Sequence, residues 1–131
     1  MKCAMKKITL ILLAVFFCQF SLANETDSIL SKARNLVHDK NFTEAIKMYK
    51  TYIEKNNEKE LKDVYVELAN CYFKSNDKKS AIKYIKEAIT KQGFTEEDFI
   101  YNDKLDAELS KYALSIIYND LEKLQKQYVS R

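Results

Sequence analysis

The chain has 131 residues with 22 Lys+Arg against 19 Asp+Glu, a formal charge of +3, and it contains one Gly, no Pro and no Trp. All 19 acids lie after Asn24 while three bases (Lys2, Lys6, Lys7) precede it, so the stretch from residue 24 onward is net neutral. Neutrality removes any general attraction to nucleic acid or anionic membrane, and the scarcity of Gly and Pro argues against phosphate-cradling loops, turn-rich β folds and flexible linkers.

Residues 1–23 read as an export signal. A basic start (Lys2, Lys6, Lys7) leads into an apolar run from Ile8 to Phe20, and Ser21-Leu22-Ala23 offers small residues where a signal peptidase reads. The run is short for a membrane span of about 20 residues. Cleavage after Ala23 is therefore expected, with no membrane association afterwards. A lipid anchor on Cys18 is the weaker alternative, because Phe17 stands where a small residue belongs. Cleavage also removes Cys3 and Cys18 and leaves Cys71 without an internal disulfide partner, so the exported chain must hold together by packing. The expectation for Cys71 is a small buried apolar residue.

Helical periodicity then runs through the chain. Ile29, Leu30, Ala33, Leu36 and Val37 define a first helical face, and Phe42, Ala45, Ile46, Met48, Tyr49, Tyr52 and Ile53 a second. Leu61, Val64, Tyr65, Leu68, Ala69 and Tyr72 give a third; Ala81, Ile82, Tyr84, Ile85, Ala88 and Ile89 give a fourth. The joints are Asp39-Lys40-Asn41, Asn56-Asn57 and Ser75-Asn76-Asp77. Asn and Asp tolerate left-handed backbone and cap the following helix, replacing the missing glycines. Joints this short predict two antiparallel helical hairpins.

The hairpins repeat with an offset of 36 residues: Ala33 aligns with Ala69, Ala45 with Ala81, and Tyr49 with Ile85. Leu68-Ala69-Asn70-Cys71-Tyr72-Phe73 followed by Ala81-Ile82-Lys83-Tyr84, and Asn41-Phe42-Thr43-Glu44-Ala45-Ile46 in the first unit, resemble the tetratricopeptide repeat, whose period is about 34. Lys40 and Asn76 stand where that family has its turn Gly, and the terminal Pro is absent. The resemblance implies an all-α, right-handed solenoid of two hairpins, with repeat 1 at about 26–59 and repeat 2 at about 62–95. A helical cap follows at about 95–131.

After Gly93, placed to end the fourth helix, Thr95-Glu96-Glu97-Asp98 has the pattern of a capped helix start. From Asp103 the apolar stripe Leu105, Leu109, Tyr112, Ala113, Ile116, Ile117, Leu121, Leu124 and Tyr128 predicts one long amphipathic capping helix. Its end, beyond about Leu121, is a candidate surface for homo-oligomer formation or a partner. Residues 24–92 carry 14 bases and 11 acids, and residues 93–131 carry 5 and 8, so the cap is drawn onto the body or onto a neighbour's.

No constellation for catalysis stands out. His38 is alone, Cys71 has no second Cys nearby, and Glu96-Glu97-Asp98 fits a helix start better than a metal site. No enzyme and no cofactor or metal is expected. What the family resemblance implies is a concave groove lined by the first helix of each hairpin. Carried over by position, it comprises Leu30, Arg34, Val37 and His38, then Val66, Glu67, Asn70, Phe73 and Lys74. Such a surface suits a protein or peptide partner: Asn70 for backbone, Arg34 and Lys74 for a carboxylate, Phe73 for an apolar side chain. The functional expectation is an exported interaction module of a bacterial periplasm, envelope or extracellular space. The alternative is a self-assembling structural subunit using the carboxy-terminal helix.

Overall fold

The computed structural model describes residues 25–57 and 59–130. The expected export signal, residues 1–23, lies outside the described residues. Those described are helical with short joints, and no strand occurs among them. Helix α1 (residues 25–38) is followed by α2 (Phe42–Lys55), α3 (Lys62–Lys74) and α4 (Lys78–Gln92). A short α5 (Glu96–Tyr101), then α6 (Ala107–Ile117), a 3-10 turn (Tyr118–Asp120) and α7 (Leu121–Val129) complete the order.

The two hairpins are built by the same devices at the predicted offset. Lys40 and Asn76 both have left-handed backbone, with φ of 60° and 64°. Each lets the chain close its helix with a paired pattern of carbonyl bonds. Lys40 and Asn41 donate backbone N–H to Val37 and Leu36 carbonyls at 2.9 and 2.8 Å; Asn76 and Asp77 do the same to Phe73 and Tyr72 at 3.0 and 2.9 Å. The next residue then caps the returning helix: the Asn41 side chain accepts from Glu44 N–H at 3.4 Å and Asp77 from Ser80 N–H at 3.1 Å. Ala33, Ala45, Ala69 and Ala81 are all fully buried, so a side chain no larger than a methyl stands at each aligned crossing. The far end of the first hairpin is held by Lys55 facing Glu25 at 3.5 Å.

Helix α3 sits centrally, packed on α2 on one side and α4 on the other. Their seam contains Tyr72 stacked on Tyr84 with centroids 5.4 Å apart, and Val66, Leu68 and Ile85 are fully buried. Cys71 is buried as expected, and burial, with a smaller effect of the Glu67 charge, pushes its thiol up to about 12.

The cap corrects the expectation of one long helix from Asp103. Residues 102–106 are not helical, because the Asp106 side chain accepts from the N–H groups of Glu108 and Leu109 at 3.0 and 3.1 Å and so starts α6 at Ala107. A second break falls at Tyr118-Asn119-Asp120, with Ile117 and Asp120 near φ −102° and −101° and ψ close to zero. Asn and Asp are weak helix formers, and the turn redirects α7 so that it packs against α4. Leu121 is buried there, Leu124 is half-buried against the core, and the Tyr128 ring lies over Gly93. Beyond Leu121 the stripe thus turns partly onto the chain's own repeat, while Tyr128 keeps much of its surface exposed. Two ion pairs, Lys62–Asp98 at 3.2 Å and Lys74–Asp106 at 3.1 Å, join body bases to cap acids, in the direction of the charge asymmetry.

Candidate functional site

The face formed by α1 and α3 carries the expected groove residues, but most are engaged with other parts of the chain. Arg34 on α1 grips Glu67 on α3 with two bonds, Nε to Oε2 at 3.0 Å and Nη2 to Oε1 at 2.9 Å. Beneath them the buried Tyr49 hydroxyl donates to Glu67 Oε2 at 2.7 Å. Bonding to Glu67 raises the Arg34 guanidinium further above its ordinary value despite partial burial. Burial first, then the Glu67 carboxylate, push the Tyr49 phenol far up. This triad fixes α1, α2 and α3 relative to one another, so the Arg34 fork already holds a carboxylate.

Asn70, one turn along α3, bonds to the backbone of a non-helical turn. Its Nδ2 donates to the Lys104 carbonyl at 2.6 Å, and its Oδ1 accepts from the Asp106 N–H at 3.0 Å. Asn102 adds a bond from Nδ2 to Asp63 Oδ1 at 3.3 Å, and Lys74 pairs with Asp106. Burial alone would raise the Asp106 carboxyl. The Leu109 and Glu108 N–H groups and the Lys74 ammonium outweigh it and hold the carboxyl below its ordinary range. Leu105 between them is buried, and Phe73 packs its ring against Tyr112 of α6 at 5.9 Å. Residues 102–106 therefore form a strap laid across α3.

Between this strap and α1 the surface remains open. Two hollows of about 600 and 320 Å³ share Val37, Asn70 and Lys104. The larger is floored by Val37, Phe42, Cys71 and Leu105, and its polar wall sets His38, Lys40, Lys74 and Lys104 beside Asp103 and Asp106. The smaller runs along Arg34, Tyr49 and Glu67. His38 is almost wholly exposed, 3.5 Å from Asp39. Leu30 lies with Arg34 in a separate shallow depression, and Val66 is fully buried in the core, so neither lines these hollows.

Sequence reasoning missed Lys40, Phe42 and the whole strap as parts of this surface. Lys40 and Phe42 flank the first hairpin turn, and their proximity to α3 follows from how the second hairpin stacks on the first. A signal for the strap does exist in Asp106-Ala107-Glu108-Leu109, an Asp one residue before a helical pattern, which marks a helix start at 107 and leaves 102–106 outside it. Among the described residues, no group of three or more His, Cys, Asp or Glu side chains converges in a way that could hold a metal ion. Comparison with family models, with curated proteins and with solved structures finds no match to this chain.

Proposed function

We propose that the chain is a non-catalytic protein-interaction module. On this reading two tetratricopeptide-like hairpins form a short right-handed solenoid with a helical cap, exported to a bacterial envelope. It binds an extended segment or helix of a protein partner along the α1/α3 face. The single observation that carries the reading is Asn70: its side-chain amide receives both a carbonyl and an N–H from a non-helical stretch of backbone, which is how a groove holds a peptide. The repeat assignment draws support from the paired turns at Lys40 and Asn76 and the four buried alanines at one offset. Export rests on the layout of residues 1–23 alone.

The open part of the groove combines an apolar floor with three lysines, Lys40, Lys74 and the strap's Lys104, against two aspartates, Asp103 and Asp106. That combination favours a segment with apolar and acidic residues over a basic one. The test is recovery of partners from envelope extracts of the native host by Lys40→Glu with Lys104→Glu, two exposed positions. Recovery should fall while melting and far-UV dichroism stay unchanged, and a control Lys123→Glu on α7 should recover as the unaltered chain does. Undiminished recovery with the double variant contradicts the groove assignment.

A further inference from the structure

The strap shows what chemistry this groove accepts, because the chain itself has laid a short segment into it. Lys104-Leu105-Asp106 presents its backbone to Asn70, buries an apolar side chain, and sets a carboxylate on Lys74. Beside it, the hollow between α1 and the strap has an apolar floor and a wall in which Lys40, Lys74 and Lys104 outnumber Asp103 and Asp106. The geometry points to the strap as an internal occupant of a peptide site: the groove takes a partner segment with an apolar residue followed by Asp or Glu, and Asn102–Asp106 competes for the α3 half of it. This rests on the groove reading above and adds the class of segment and the competitor.

The strap lies outside the helices, and of its residues only Leu105 enters the hydrophobic core. Its attachment consists of the Asn70 amide pair, the Lys74–Asp106 ion pair, the Asn102–Asp63 bond and the one apolar anchor, Leu105. The ion pair is solvent-facing on the lysine side, 51% exposed, and Asn102 and Asp63 meet in an exposed bond. Contacts of this kind open locally more readily than a packed helix. A partner would then see an affinity reduced by the fraction of molecules with the strap lifted, and weakening the strap should restore it.

The test uses the full chain and a fluorescent synthetic peptide copying residues 100–109, which contains the strap sequence. Leu105→Ser with Asp106→Ser removes the apolar anchor and the ion pair while a serine still caps α6. Asp106→Ser alone serves as the milder release where the double variant melts too early. Exchange of the backbone amide at position 106, bonded to Asn70 in the unaltered chain, reports directly whether the strap has lifted. Release should bind the peptide about tenfold or more tightly than the unaltered chain does. Adding Asn70→Ala should abolish that gain, and a peptide with Ser at the Leu105 and Asp106 positions should bind neither chain. Faster exchange at position 106 with no peptide bound overturns the inference, as does equal binding by released and unaltered chains. In either case, host crosslinks that still fall on the α1/α3 face leave the groove reading standing; crosslinks that avoid this face remove both.

Discussion

Replacing Gly93 with alanine adds one methyl group at the place where the cap rests on the repeat. Gly93 closes α4 with φ of +68°, a conformation that costs an L-residue about 1 kcal/mol. The new Cβ would stand 2.6 Å from Tyr128 Cε1 and 2.8 Å from Cζ. Carbon atoms settle at about 3.5–4.0 Å, so the ring must retreat by about 1 Å. Tyr128 is 44% exposed and free to swing outward, forfeiting part of its contact with α4 rather than all of it. That loss is about 1 kcal/mol on the usual area scale. Gly93→Ala should therefore lower stability by about 2 kcal/mol in total. In a Tyr128→Ala background only the backbone part remains, about 1 kcal/mol. Urea unfolding of the four chains of this cycle, followed by far-UV dichroism, measures both. An identical loss in the two backgrounds would refute the seating of α7 over α4, and no loss in either would refute the left-handed end of the helix.

Ala81→Asp places a charge at a fully buried helix crossing and should cost about 3–5 kcal/mol, enough to unfold much of the population; a melting curve like that of the unaltered chain contradicts the repeat alignment. Cys71, with its thiol pushed up to about 12, is a thiolate at pH 8 in a fraction on the order of 10⁻⁴, so iodoacetamide should label it only as the protein unfolds. Rapid labelling of the folded chain contradicts its burial. Asp106 has a folded pKa below its ordinary 3.8, so its contribution is complete well above that value and is lost as pH falls through the lower, folded one. Asp106→Asn, which keeps a helix cap, should cost about 1 kcal/mol at pH 6 and nothing once pH is well below the folded value; a difference that persists unchanged at low pH contradicts the Lys74 pairing.

The helices and turns were legible because they rest on local chemistry. Lys40 and Asn76 stand at equivalent joints, and both adopt the left-handed backbone that their position between two helical patterns demands. Thr95 and Asp98 likewise form the reciprocal cap their spacing announces. The cap was less legible, since an apolar stripe reports which residues seek burial and not whether one straight helix delivers them. Leu105 and Leu121 are both buried, yet they lie on separate segments divided by the Asp106 cap and the Tyr118–Asp120 turn. The groove positions were found by analogy, while their bonding depended on what folds over them. Arg34 and Lys74 hold carboxylates and Asn70 holds backbone, each supplied by Glu67 or the strap. No periodicity in residues 24–92 encodes that a segment some 34 residues further on will lie across Asn70.

Crosslinking in living host cells addresses the central claim, that the α1/α3 face receives a protein partner. A photoreactive residue at position 38, exposed at the edge of the groove, should give discrete adducts with a protein partner under illumination. The same residue at position 122, exposed on α7, should give none. Adducts at 38 that disappear with Lys40→Glu and Lys104→Glu are the predicted result. Adducts at 122 but not at 38, or a chain that crosslinks at neither, would contradict the account.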